Sequence, residues 1–398
     1  MFINFKAPAV VNVVAAIFSL SLPASLAQVV PASSPAPGLT VVKVPLLVPP
    51  QPGARVAAAI ANVEVRKVRG VGGAVFTQRV PPEASRLLTA VSAHLEKIHP
   101  GKLKTGRIEI TYTGSVSATD LEASGLALAI AIDAAVGEWV PDPQFMAVGG
   151  FDADGEMQPV EDAIPRLLAV MKSGARRVLM TEKQVAQVTD MMIGSGAPVF
   201  AGTLFYSINS YEDVRPIADS ILTAEMRKGL TAISEVQRKL FAKDANTEEV
   251  LRDDDVKEAL RETLTATPSC VSARLLLRVN TGQFEKLSRE GTFYAIENLA
   301  PTVFTAVRSA APNDLTKISN AVVQGEIARL DRARPHFSDR SLTLLQAVIN
   351  YGEAVRTFTV NPAADAAEAG ARNRTLVGTA REVLLEITKI KAPTPPKK

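Results

Sequence analysis

The chain has 398 residues, of which 47% are hydrophobic and 21% charged, with a formal net charge of +3. This length predicts two domains that can each bury a core, and the small net charge without a basic tract argues against nucleic acid as a partner. The single cysteine, Cys270, excludes an intramolecular disulfide, and the three scattered histidines (His94, His99 and His336) give no metal-ligand spacing.

The first 27 residues have the pattern of a signal peptide. Lys6 precedes an apolar run, Pro23 ends that run, and small residues at Ser25 and Ala27 mark a cleavage site. The apolar run of about 13 residues is shorter than the roughly 20 that span a bilayer. We therefore expect export to a periplasmic or extracellular space, with an N-terminal membrane anchor as the alternative. Residues 28–39, rich in proline and small polar residues, predict a linker.

The next part of the chain, residues 40–210, alternates strand-like and helix-like patterns. Runs that are β-branched or alternate in polarity predict strands at 40–48, 61–68, 107–112 and 177–180. Apolar residues at helical spacing predict helices at 82–98, 125–136 and 164–173. These patterns predict a mixed α/β (α+β) domain.

Residues 211–390 have a different character. Three-to-four-residue apolar spacing with charges between predicts long helices at 214–242, 247–266 and 341–357. An all-α domain is therefore expected after the α/β domain. The prolines and lysines of residues 391–398 predict a disordered tail.

One stretch carries most of the functional information. It begins Asp120-Leu-Glu-Ala-Ser-Gly125 and continues as a helix of small apolar residues, and residues 147–160 follow with Gly149, Gly155 and Pro159. This pattern resembles the catalytic region of Lon-type proteolytic domains, the serine peptidases of the S16 type. In that family an Asp-Gly-Pro-Ser-Ala-Gly turn leads into a small-residue helix, and Asp120 and Gly125 match the ends of the turn. The resemblance covers roughly residues 40–210 and implies the Lon proteolytic fold.

The same resemblance locates the positions of the family's catalytic serine and lysine, which fall on Ala123 and Ile164. In the family a partly desolvated lysine takes the proton of the serine hydroxyl, so that the serine becomes a nucleophile. Neither alanine nor isoleucine can do this chemistry. Ser124 is a substitute nucleophile, yet the nearby cation is Arg166, which stays charged and cannot act as a base, and Lys172 lies eight residues beyond Ile164.

No cofactor or metal is predicted. A phosphate-binding loop of the Gly-x-x-x-x-Gly-Lys type is missing from the sequence, so ATP is not an expected ligand. The acidic run that includes Asp152, Asp154 and Glu156 lacks the later ligands of a calcium loop and is typical of a turn.

Three functions remain open at this level. The first is an inactive Lon-type domain that binds or scaffolds a protein or peptide partner, and the second is an ATP-independent serine-type endopeptidase that uses Ser124. The third is a structural role in which the α/β half only supports the helices. Lon-type domains form rings, so assembly into a homo-oligomer also stays open.

Overall fold

The computed structural model describes residues 38–391, apart from residues 49–55, 71, 153, 243–244, 280, 282–283, 310–314, 316–317 and 361–364. The signal-peptide prediction for residues 1–27, nearly all of the predicted linker and residues 392–398 of the predicted tail lie outside the described residues. Among the described residues, no helix is both long and apolar enough to cross a bilayer.

A mixed seven-stranded sheet forms the centre of the first part. The seven strands are β1 (Leu39–Val48), β2 (Ala57–Val68), β3 (Gly73–Phe76), β4 (Arg107–Tyr112), β5 (Phe145–Val148), β8 (Arg177–Thr181) and β9 (Leu204–Ile208). They lie in the order β3-β4-β2-β1-β5-β8-β9; β2 pairs antiparallel with β1 and β4, and the remaining neighbours run parallel. A separate short hairpin consists of β6 (Gly150–Phe151) and β7 (Met157–Gln158).

Six helices accompany these strands. They are α1 (Glu83–Ile98), α2 (Ala118–Ala123), α3 (Gly125–Gly137), α4 (Ala163–Lys172), α5 (Val185–Ser195) and α6 (Val214–Ala218). Helix α3 packs against β1, β2 and β5, and nearly all of its residues are buried. This burial on every side explains why its sequence is apolar all round instead of amphipathic.

The rest of the described chain is helical. Its helices are α7 (Ala224–Leu240), α8 (Thr247–Arg252), α9 (Asp254–Ala266), α10 (Val271–Val279), α11 (Arg289–Leu299), α12 (Pro301–Ser309), α13 (Asn320–Ala333), α14 (Asp339–Val360) and α15 (Ala366–Lys391). Helices α7 to α10 share the hydrophobic core of the sheet, whereas a second core joins α11 to α15. The second core therefore begins at Leu287, although Tyr294 of α11 still belongs to the first core. The predicted domain boundary at residues 210–211 stays a prediction.

The two edge strands of the sheet, β9 and β3, differ in what covers their outer backbone groups. At β9 the chain segment before α10 covers the edge, because Ser207 N donates to Ser269 O and Phe205 N donates to the hydroxyl of Ser272. Cys270 lies in this covering segment and is fully buried, and burial raises the pKa of its thiol to about 11. At the other edge, β4 is the one strand that pairs with β3 among the residues that the structure describes.

The predictions of a mixed α/β region and of a C-terminal helical region are confirmed. Two of the long predicted helices are divided, however. The helix predicted at 214–242 is interrupted between α6 and α7, and the one at 247–266 is interrupted at Asp253, whose side chain caps α9 by accepting from Asp255 N. An aspartate that competes for backbone N–H groups favours such a cap over a continuous helix.

Candidate functional site at the junction of α2, α3 and α4

The turn that carries the Lon-like pattern begins with a capping box. Ser117 precedes α2, and its hydroxyl accepts from Asp120 N at 3.1 Å and donates to Asp120 Oδ2 at 2.7 Å. Helix α2 ends at Ala123, and α3 begins directly after Ser124. The two helices therefore meet at Ser124 in a tight turn. Residues 120–123, which the resemblance predicts as part of that turn, lie in α2 instead.

Gly125 allows the segment around β6 to lie against this turn. A Cβ atom at Gly125 would lie 2.7 Å from Phe151 N, which is closer than real Cβ contacts. Leu126 N donates to Gly149 O at 2.9 Å, and Gly149 N donates to Ala123 O at 3.3 Å. Gly125 thus serves a close backbone approach, for which a side chain would leave no space.

Ser124 is closed off from solvent. Its exposed fraction is 2%, and its hydroxyl donates to Leu121 O at 3.0 Å and lies 2.9 Å from the hydroxyl of Tyr112. Since the single proton of Ser124 goes to Leu121 O, Tyr112 is the donor to Ser124. Burial raises the pKa of Tyr112 to about 12, so it remains a neutral phenol and does not act as a base at neutral pH.

The two positions that match the family's catalytic pair are also buried. Ala123 is 5% exposed and Ile164 is 2% exposed. Ile164 lies in the first turn of α4, where its backbone N–H donates to Glu290 Oε1 at 2.9 Å. This region therefore presents apolar side chains and a capped helix start, without a titratable group at either position.

An ion pair joins the turn to α4. The guanidinium of Arg166 is fully buried and donates to Asp120 Oδ1 at 2.9 Å and to Pro45 O at 2.7 Å. Asp120 Oδ1 also accepts from Leu47 N at 2.8 Å. Sequence reasoning treated Arg166 only as a cation that cannot be a base, and it missed that this residue ties α2, α4 and β1 together.

A group of carboxylates links α4 and α5 to helix α11. Besides capping α4, Glu290 faces the negative charges of Asp162 and Asp190. Burial is the main cause that raises the pKa of Glu290 to about 7, and these two charges raise it further. Burial likewise raises the pKa of Asp190 to about 6, although Ser288 donates to it from both its backbone and its hydroxyl. Within the part of the chain that the structure describes, no group of histidine, cysteine and acidic side chains could hold a metal ion.

Two of the three histidines contact the same pair of side chains, Asp133 and Tyr211, although the sequence predicted no relation between them. His99 Nε2 lies 2.5 Å from Asp133 Oδ1, and the hydroxyl of Tyr211 donates to Asp133 Oδ2 at 3.5 Å. The ring of Tyr211 also contacts that of His94 edge-on, with ring centroids 5.1 Å apart. Since the contacts of His99 and Asp133 include no serine or cysteine, we interpret this pair as an anchor between the end of α1 and α3.

Comparisons with known proteins add no relative: no family model matches the chain, and no match was found among curated proteins. The resemblance to Lon-type domains therefore stays a prediction that depends on the residues of the turn and of the segments that follow it.

Proposed function

We propose that this chain is an exported, catalytically inactive protein of the Lon-type proteolytic fold that binds an extended segment of a partner protein. Export is proposed from the pattern of residues 1–27, and a mature N-terminus at Gln28 in the secreted protein would support it. One observation carries the proposal of inactivity. The only hydroxyl at the turn, that of Ser124, is buried and engaged in hydrogen bonds, while alanine and isoleucine occupy the positions of the family's catalytic pair.

The enzymatic alternative would require a rearrangement of the turn. For Ser124 to attack a peptide carbonyl, its hydroxyl would have to leave Leu121 O and Tyr112 and turn outward. Breaking each hydrogen bond costs about 1 kcal/mol, and Tyr112 would keep an unpaired buried hydroxyl. A base would still be needed, and the nearest cation described at α4, Arg166, is held by Asp120 and cannot accept a proton.

The edge strand β3 is the best candidate for binding an extended peptide. Thr77 N donates to Ile110 O on β4, and strand groups alternate in direction, so the backbone of Val75 also faces β4. The backbone N–H and C=O groups of Ala74 and Phe76 consequently face away from the sheet. Exposed groups of this kind can pair with an added strand.

This edge is connected to the candidate site through two aromatic side chains. Phe76 on β3 stacks on Tyr112, with ring centroids 6.2 Å apart, and Tyr112 bonds to Ser124. A peptide bound along β3 would therefore lie close to the turn that the resemblance identifies as the family's active site. That proximity favours retained binding without cleavage over a purely structural role for the α/β part.

Fluorescein-labelled casein, a disordered protein, tests binding and cleavage together. We expect the mature protein to raise the fluorescence anisotropy of casein without releasing dye-labelled fragments. Ala74→Pro removes the outward N–H and should weaken binding at least about tenfold, because a proline cannot donate to an added strand. Ala74→Ser keeps the N–H and is the matched control, and thermal unfolding must show that both variants fold.

Two results would contradict the proposal. Release of labelled fragments that is abolished by Ser124→Ala would identify a divergent serine endopeptidase. Neither binding nor cleavage by the folded protein would leave the α/β part with a supporting role only.

A further inference from the structure

A cavity of about 180 Å³ lies between α12, α14 and α15, at the border of the second hydrophobic core, and it is partly open to solvent. Its walls are mostly apolar and include Val307, Leu315, Leu376, Val377 and Leu384. An apolar protein cavity of about 150 Å³ stays dry and accepts a benzene molecule. This cavity therefore has the size and the largely apolar lining for one aromatic ring or one branched aliphatic group, with Asn373 and Arg381 among its polar lining residues.

One buried polar side chain lines this cavity. Tyr351 is only 2% exposed, yet among the residues that the structure describes its hydroxyl has no hydrogen-bond partner. The hydroxyl is not among the polar atoms of the described residues that are shut off from solvent without a partner, so it reaches the open part of the cavity and is available to a ligand there. Burial also raises the pKa of Tyr351 to about 12, so the hydroxyl keeps its proton and is able to donate.

A positive charge lies at the border of the same cavity. Arg381 is exposed on α15, between Val377 and Leu384 on one face of the helix, and it also lines the cavity. Within the described part of the chain it forms no ion pair, in contrast to Arg372 and Lys389 on the same helix. A planar guanidinium offers paired N–H groups that match the two oxygens of a carboxylate.

The geometry points to a binding site for a small monocarboxylic acid with an aromatic or branched aliphatic group, whose apolar part fills the cavity while its carboxylate meets Arg381 and the hydroxyl of Tyr351. The polar groups around the cavity are a cation, a phenol and the amide of Asn373, all of which can donate to an anion, whereas the apolar walls disfavour small polar anions. The inference does not depend on the Lon-type fold or on peptide binding at β3, because the cavity belongs to the second core.

Isothermal titration calorimetry of the purified protein with 3-phenylpropionate tests this site. We expect saturable 1:1 binding, with binding of uncharged 3-phenylpropanamide at least about tenfold weaker and no detectable binding of propionate, which lacks the ring. Arg381→Gln should weaken binding about tenfold to a hundredfold, since a hydrogen bond to a charged group contributes roughly 1.5–3 kcal/mol. Tyr351→Phe, which removes only the hydroxyl, should weaken it about fivefold.

A cavity-filling variant separates the site from the protein surface. Ala380 lines the cavity from α15, and Ala380→Leu should abolish binding by occupying the space of the ring. Arg332→Gln, which removes an exposed arginine of α13 outside the lining, is the matched charge control and should bind like the unmodified protein. Each variant is compared at equal far-UV circular dichroism, so that loss of fold is not taken for loss of binding.

The proposal is overturned if 3-phenylpropionate does not bind at millimolar concentration. It is also overturned if the amide binds as well as the acid, or if Arg381→Gln and Ala380→Leu both leave the affinity unchanged.

Discussion

The buried ion pair between Asp120 and Arg166 permits a quantitative prediction. Two unit charges 2.9 Å apart attract by about 6 kcal/mol at an effective dielectric constant of about 20. Much of this attraction offsets the cost of removing both groups from water, so the net stabilisation by the pair is smaller. Removing only one partner, however, leaves a buried charge uncompensated and costs about 3–5 kcal/mol of stability. The candidate site should therefore be more sensitive to these two residues than to Ser124.

The two single variants should not be equally harmful. Asp120→Ala leaves the buried guanidinium of Arg166 with Pro45 O as its remaining acceptor, whereas Arg166→Met leaves a carboxylate that still accepts from Leu47 N and from Ser117. We expect a loss in the free energy of unfolding of about 5 kcal/mol for Asp120→Ala and of about 3 kcal/mol for Arg166→Met.

Urea unfolding, followed by circular dichroism, measures both losses and their coupling. The double variant removes both charges and should lose at least about 2 kcal/mol less than the sum of the single variants. If the two single losses add to within about 0.5 kcal/mol, or if Arg166→Met is the more harmful of the two, then the ion pair does not join α2 to α4 as argued.

Three further predictions concern the same region. Glu290→Gln should match the wild type near pH 4 and be more stable near pH 8, because the pKa of Glu290 is about 7 when folded against 4.5 in its ordinary state. The stability that the protonated Glu290 side chain contributes is therefore fully present below pH 4.5 and is lost as the pH rises through 7. Ser124→Ala should cost about 1–3 kcal/mol, since it leaves the buried hydroxyl of Tyr112 unpaired, and the wild type should resist a serine-reactive phosphonate. Gly291→Ala should destabilise the protein by about 3 kcal/mol, because the new Cβ would lie 2.1 Å from the side-chain carboxyl carbon of Asp190 on α5. Gly325→Ala is the matched control: its Cβ would meet nothing nearer than 3.9 Å, and it should stabilise the protein by about 0.5–1 kcal/mol.

Urea unfolding across a pH series checks the first of these, and a loss of stability for Glu290→Gln at high pH would contradict it. Stoichiometric labelling of Ser124 by the phosphonate, detected by mass spectrometry, would contradict the second. For the glycines, equal effects of the two alanine substitutions would show that α11 does not pack as closely on α5 as its backbone indicates.

The sequence predicts the elements that are long or regular. Helix α3 and strand β4 are found where the pattern predicts them, because their burial is encoded in consecutive residues. Strands β5 and β9 were not predicted. All their residues are buried, so they lack the alternation that identifies a half-exposed strand, and short apolar runs of this kind fit a helix equally well.

The start of the small-residue helix at Gly125 was predictable, whereas residues 120–123 form α2 and not the predicted turn, and the surroundings of the site were not predicted. The capping box at Ser117 and the close approach at Gly125 follow from local residue types. The burial of Ser124 depends on Tyr112, and the cap on Ile164 N comes from Glu290, which is 126 residues further along the chain. No local pattern encodes such distant contacts.

The separation of 126 residues in sequence between Ile164 and Glu290 has a consequence for the order in which the parts of the chain can fold. A nascent chain that has emerged only as far as β9 lacks the cap of α4 and the segment before α10 that covers the edge of the sheet. Contacts of such long range form late, because the entropy of closing the loop must be overcome first. We consequently expect the first half of the chain to lack these stabilising contacts until residue 290 has left the ribosome, which would suit the proposed export of an unfolded chain.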